Sequence, residues 1–295
     1  MTDKRGTARD ISRRSLCGGN AMVIDAHQHF WRVGQNDCVW PTPELAAIHR
    51  DFLPDELEVL AAPLGVEGSV LVQSQPSDRD SDWLLELSKG RDFVKAVVGW
   101  TDLKSPGAPQ RIAALAAHPK MRGLRPMLQS ESQDAWIADT ALDPAVEAMI
   151  AHRLSFDALV FTHHLPHLGR FAQRHPSLPI VIDHAAKPSI RTGEIAPWRA
   201  QIASMATLPN VFCKLSGLLT EAEREQGTEA LKPVVDHLLA AFGPGRLMWG
   251  SDWPVLNLAG NYSHWLELAH KLCGTCSTEA LAEIFAGTAT KFYRL

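Results

Sequence analysis

The stretch VIDAHQHFW, residues 23–31, decides how the rest of the chain reads. It starts as a buried strand does, with β-branched Val23 and Ile24. It then carries Asp25, His27 and His29 where a strand should be leaving the core. Side chains alternate between the two faces of a strand, so His27 and His29 share a face. Two imidazoles so placed can jointly hold a substrate oxygen or a metal. They ask for a fold in which strand ends converge on one place.

Seven further apolar runs follow: GSVLVQSQ (68–75), FVKAVVGW (93–100), MRGLRPMLQ (121–129), LSFDALVF (154–161), PIVIDHAAKP (179–188), NVFCKLSG (210–217) and RLMWGSDWP (246–254). Most are short and rich in Val, Ile, Leu and Phe, as strands buried on both faces are. Between them lie segments with apolar residues at three- and four-residue spacing, such as SDWLLELSKG, PAVEAMIAHR and LKPVVDHLLAAFG. Many open on Pro, Asp, Ser or Thr and close on Gly or His-Pro, which are helix boundaries. Eight strand–helix units predict a single-domain α/β (β/α)8 TIM-type barrel over residues 22–295, near the roughly 250 residues typical of that fold. An open dinucleotide-binding sheet is disfavoured, because no Gly-x-Gly-x-x-Gly follows the first strand.

The formal net charge of −4 leaves no footprint for nucleic acid. No apolar run reaches the roughly 18 residues of a membrane span. The cysteines Cys17, Cys38, Cys213, Cys273 and Cys276 are scattered and odd in number, which fits a reduced, cytoplasmic protein better than a disulfide framework. CGTC (273–276) has redox-motif spacing, but it falls between two helical patterns and reads as a loop. Residues 1–21 are basic, polar and poor in core residues, and no apolar region follows their positive charges. They read as an extension outside the barrel, either a loose arm or a stretch preceding a natural start at Met22.

Barrel chemistry sits at the C-terminal ends of the strands. Those ends carry His27 and His29, Gln73 and Gln75, Trp100, Arg125 and Gln129, Asp183, His184 and Lys187, Lys214 and Ser216, then Asp252 and Trp253. His27, His29, His184 and Asp252 are the expected catalytic set. Arg125, Lys187, Gln73, Trp31, Trp100 and Trp253 are the expected substrate binders, offering cations, a hydrogen-bonding amide and aromatic faces at or near the same strand ends. The remaining histidines fall on helix-like segments or helix ends; His163, His164 and His167 in THHLPHLGRF read as the start of a helix.

DAHQHFW, GLRPMLQ, VIDHAAKP, NVFCKLSG and RLMWGSDWP, in this order, resemble the amidohydrolase superfamily, and within it a branch of sugar and aromatic-acid lactonases. The resemblance implies a (β/α)8 barrel centred on His27, His29, His184 and Asp252. Members with two metals bridge them with a carboxylated lysine on the fourth strand; this chain has Arg125 on that strand and no lysine there, so a binuclear site is not expected. Asp157 or the pair His163 and His164 is what the fifth strand offers.

The implied activity is hydrolysis of a sugar-acid lactone, L-fucono-1,5-lactone first, with 1,4-lactones such as L-galactono- or D-arabino-lactone beside it. A lactone is an activated ester, so hydrogen bonds and cations can stabilise its oxyanion. Catalysis is therefore expected to require no metal; were one divalent ion such as Zn²⁺ to bind, His27, His29, His184 and Asp252 would hold it. A pyrone dicarboxylate or muconolactone is the rival lactone, but it wants several arginines, and Arg125 stands at the mouth with Arg32 and Arg191 as further candidates, a thin supply. A zinc-dependent decarboxylase of the same superfamily would require a bound metal and an ionised acid substrate. A non-catalytic barrel is disfavoured, because three histidines and an aspartate at strand ends are costly to keep without use. The expected partner is the small lactone alone, with no nucleic acid and no membrane; the chain is also compatible with a homo-oligomer.

Overall fold

The computed structural model describes residues 22–131, 134–223 and 226–295; the extension expected at 1–21 lies outside them. Each apolar run contains a strand: β1 Val23–Gln28, β2 Val66–Val72, β3 Val94–Gly99, β4 Met121–Leu124, β5 Ser155–Ala158, β6 Ile180–Ile182, β7 Val211–Leu215 and β8 Leu247–Trp249. The strands end earlier than the runs, because the polar residues at their C-terminal ends turn out of the ladder into the loops that build the mouth. All seven neighbouring pairs are parallel, in the order β1 to β8.

Helices fill the connections: α1 Pro54–Ala61, α2 Asp78–Leu87, α3 Ala108–Ala116, α4 Asp143–Ala151, α5 Leu165–Arg174, α6 Ala196–Ala206 and α7 Gly227–Phe242. After β8 come α8 Tyr262–Leu272, α9 Thr278–Ala282 and α10 Thr288–Tyr293. Their starts show local chemistry at work. The Ser77 hydroxyl accepts from the Arg79 and Asp80 amides at the head of α2, and the Asn261 side chain accepts from the His264 amide at the head of α8. STEALAEIFAGTATKFY reads as one helix, yet a wider turn at Glu283–Gly287 separates α9 from α10. CGTC connects α8 to α9, and its cysteines are free thiols.

The barrel is a packed core with a plug. Ile24, Ala26, Val70, Val72, Ala96, Val98, Val181 and Met248 fill its interior, and Phe292 and Tyr293 of α10 pack against them. Between β8 and β1 there is no full ladder. The His29 amide donates to the Trp253 carbonyl and the Asp252 amide to the His27 carbonyl, each at 2.8 Å. Asp25 joins the same seam, its carboxylate accepting from the Ser251 amide at 2.8 Å and the Tyr262 hydroxyl at 2.9 Å.

β1 departs from simple alternation. Its pairing with β2 shifts register between Asp25 and Gln28. Ile24 and Ala26 join the interior cluster, and His27 also points inward, to groups carried by other strands. No helix among the described residues is long and apolar enough to cross a membrane.

Candidate active site

A cavity of about 490 Å³ opens at the C-terminal end of the barrel. His29, His184, Asp252, Arg125 and Lys187 line it, with Trp40, Gln75, Met127 and Gln129. Strand ends supply the polar members; the long β1–α1 connection supplies Trp40.

Asp252 Oδ1 is the point of convergence. It lies 3.3 Å from His29 Nε2, 3.7 Å from His27 Nε2 and 3.8 Å from His184 Nε2. Burial alone would raise this carboxyl. The surrounding imidazoles, His184 foremost and His29 through a hydrogen bond, outweigh it and hold Asp252 below the usual carboxylate range. Burial pulls His184 down to about 4, with Asp252 opposing, so its ring is neutral at neutral pH.

His184 is held in an unusual place. It begins a left-handed run, His184 to Lys187, each with φ between 51° and 59°. Its Nδ1 lies 2.9 Å from Ser216 Oγ. Gly217, at φ +64°, leaves room for the ring, since a Cβ there would stand 2.6 Å from His184 Nδ1.

Of the four expected catalytic residues, His29, His184 and Asp252 reach the cavity wall. His27 does not; it is fully buried behind His29, with the two Nε2 atoms 3.1 Å apart. His29 Nδ1 lies 2.8 Å from the Val72 carbonyl. The spacing of these donors, 3.1 to 3.8 Å, suits a small cation, whose ligands at about 2.0–2.1 Å stand roughly that far apart. His27, however, has Lys214 Nζ at 3.0 Å from its other nitrogen.

Arg125 and Lys187 line the cavity as expected, but neither is idle. Arg125 Nη2 donates to the Gln73 carbonyl and its Nη1 lies 3.4 Å from Asp183 Oδ2; Lys187 pairs with Glu221 at 3.3 Å. The other expected binders are corrected by packing. Gln73 is buried beneath Arg125, donating to its carbonyl at 2.8 Å. Trp31 is buried against Trp40 and Phe52, its indole N–H donating to the Arg50 carbonyl at 2.8 Å. Trp253 is buried between Phe30 and Phe52. Trp100, half-buried, is held by Ser81 through its backbone, and none of the three tryptophans lines the cavity. Trp40 is the aromatic at the mouth. His164 caps the turn before α5, its Nδ1 accepting from the Phe161 amide at 3.0 Å.

The residues that sequence reasoning left without a role lie one layer down. Lys214 is fully buried and contacts Asp157, Asp183 and His27. Tyr293 closes this layer from below, its hydroxyl donating to Asp157 Oδ2 at 2.6 Å. Burial opposes the charge of Asp183, but Lys214, His27 and Arg125 hold its carboxyl well below the usual range. A lone lysine inside the apolar strand VFCKL was the available signal, because a cation there must find carboxylate partners.

Residues 24–295 match the family model described as Amidohydrolase. The chain is 50% identical to an L-fucono-1,5-lactonase of Burkholderia ambifaria, over 92% of this chain and 95% of that one. It is 37% identical to an L-fucono-1,5-lactonase of Burkholderia multivorans, over 93% of this chain and 97% of the relative. A crystal structure of a Burkholderia multivorans amidohydrolase with bound zinc superposes with a TM-score of 0.87 at 37% identity, covering 93% of this chain and all of that one. With the eight-stranded barrel, its mouth of histidines and aspartate, and a match across nearly the whole described length, the chain belongs to the amidohydrolase family.

Proposed function

We propose that this protein hydrolyses a neutral sugar-acid lactone, with L-fucono-1,5-lactone the foremost substrate and related 1,4-lactones beside it. The two relatives named as L-fucono-1,5-lactonases support the substrate class. The carrying observation is electrostatic: both cations lining the cavity already have anionic or carbonyl partners within the protein. A pyrone dicarboxylate would need free guanidinium forks, and none lines the cavity among the described residues. Gln129, whose buried Nε2 has no partner among the described residues, and the face of Trp40 suit a polyol.

Asp252 is the general base of this reading. Water beside Asp252 and His29 attacks the lactone carbonyl carbon while its proton passes to Asp252. Arg125 and His184 face the charge that develops on the carbonyl oxygen. The tetrahedral species collapses, the ring C–O bond breaks, and the proton on Asp252 passes to the departing hydroxyl oxygen. Asp252 is ionised well into acid, which makes it a weak base. That suffices for an activated ester, because transition-state charge stabilisation carries much of the work.

In this reading no step requires a resident metal. Hydrolysis of L-fucono-, L-galactono- and D-arabino-lactones, followed by acid release before and after exhaustive chelation, tests both points. Turnover of L-fucono-1,5-lactone that survives chelation is the expected result. Loss of turnover with metal, restored by zinc, would overturn the metal-free mechanism. Inactivity on all three lactones in both states would overturn the substrate class.

A further inference from the structure

Gln75 lines the cavity just beyond the end of β2, yet it is 1% exposed and its carboxamide is engaged within the protein. Its Oε1 accepts from the Val39 amide at 3.3 Å and the Trp40 amide at 3.4 Å. Its Nε2 donates to the Trp40 carbonyl at 2.6 Å and to Ser74 Oγ at 3.1 Å. A carboxamide oxygen only accepts and its nitrogen only donates, so these partners fix which end faces which. Gln75 thus holds both backbone groups of one residue, and that residue is Trp40. Cys38 Sγ also reaches the Trp40 carbonyl, at 3.2 Å, but a thiol is a weak donor.

Trp40 is carried by the connection 29–53, which runs from β1 to α1. A loop of that length has to be tied down to present one shape. Other ties flank Trp40 without holding its own backbone. Asp37 accepts from the Ser77 hydroxyl at 2.6 Å and from Arg79 at 3.0 Å, and His49 Nδ1 lies 2.8 Å from the Pro41 carbonyl. The indole is half-buried. It meets Trp31 edge-to-face, with ring centres 5.5 Å apart, and it forms part of the cavity wall. Contact between a ring face and a sugar is dispersive, and a gap of about 0.5–1 Å forfeits a quarter to a half of it. The use of this indole therefore depends on where its backbone is held.

We propose that Gln75 is a positioning residue: by clamping the Trp40 backbone to the end of β2, it sets the indole as the wall on which the C–H face of the lactone stacks. The stacking partner rests on the sugar-lactone reading above; the clamp does not, so the two are tested separately. Neither residue takes part in the attack of water, so loss of the clamp should appear in KM and spare kcat.

Steady-state kinetics on L-fucono-1,5-lactone compares Gln75→Met, Trp40→Ala and the double variant. Methionine keeps the length of the side chain and lacks both hydrogen-bonding ends. Gln75→Met should raise KM roughly 2- to 10-fold, the size of one lost aromatic contact, with kcat within about twofold of wild type. In the Trp40→Ala background the same change should add less than about twofold, because no indole is left to position. An undiminished cost there would overturn the proposal, since Gln75 would then act without Trp40. So would an unchanged KM in either single variant, or a fall in kcat at unchanged KM.

A second arm reads the clamp without turnover. Full-length protein labelled with 5-fluorotryptophan gives a ¹⁹F spectrum in which the Trp40 resonance is the one lost in Trp40→Phe. Gln75→Met should shift or broaden that resonance more than those of the core residues Trp198 and Trp249. An unmoved Trp40 resonance would overturn the proposal. If wild type opens no lactone, the substrate reading fails and the spectrum still decides the clamp. If Gln75→Met fails to fold, Gln75→Asn, which keeps a polar group and shortens its reach, replaces it in both arms with the same expected outcomes.

Discussion

The Asp252 amide donates to the His27 carbonyl at 2.8 Å, and this backbone bond lies in the seam that closes the barrel. First and last strands meet where the reacting groups stand. The bond that completes the fold therefore also sets the distance from Asp252 Oδ1 to the histidines of β1. Closure and site assembly are one event, and loosening the seam should misplace the base.

Asp252→Asn should lower kcat by roughly 10²–10⁴-fold, the usual contribution of a positioned general base. The melting transition and circular dichroism should keep their native form. Near-normal turnover in a folded variant would remove Asp252 from the mechanism.

Gly217→Ala tests the seating of His184. A methyl group would stand 2.6 Å from His184 Nδ1, at a φ of +64° that alanine resists. The expected cost is about 1–3 kcal/mol in urea unfolding, with a clear fall in kcat as the ring shifts. Lost stability with unchanged kcat would show that His184 does not act at the carbonyl.

His184 makes stability depend on pH. Its folded value is about 4 against 6.5 for an exposed histidine, so between these values the unfolded chain binds more protons. Its contribution is present above about 6.5 and is lost as pH falls toward about 4. His184→Gln should flatten that acid-side decline in urea unfolding relative to wild type. An identical decline in both would rule out a buried neutral ring.

Asp80 has the opposite sign. Burial raises its carboxyl from 3.8 to about 7, so the folded state holds the proton more tightly. Stability from this group is full below about 3.8 and is lost as pH rises to about 7. Asp80→Asn should gain on the order of 1–3 kcal/mol at pH 8 relative to wild type and nothing at pH 4. A loss at pH 8 would show that the Ser74 amide needs the charged carboxylate.

Two tryptophans should respond differently. Trp40→Ala removes a cavity wall and should raise KM several-fold. Trp253→Ala empties a core position between Phe30 and Phe52 and should cost about 3–5 kcal/mol of stability. Steady-state kinetics beside denaturation curves separates them. A raised KM with little lost stability in Trp253→Ala would return that ring to the substrate.

Several features of this protein follow from the sequence by itself. Alternating apolar runs and amphipathic segments determine eight parallel strands with helices around them, because each pattern buries its apolar face in only one way. Barrel geometry then gathers His29, His184, Arg125, Lys187 and Asp252, because strand ends converge at one mouth. What only the tertiary structure decided depends on register and packing. The shift in β1 places His27 behind His29 instead of beside it on the wall. The long first loop turns Trp31 into the core and brings Trp40 to the cavity, a choice that composition does not encode. Lys214 finds Asp157, Asp183 and His27 only once β1, β5, β6 and β7 close around it, because a buried charge is satisfied in three dimensions and not along the chain.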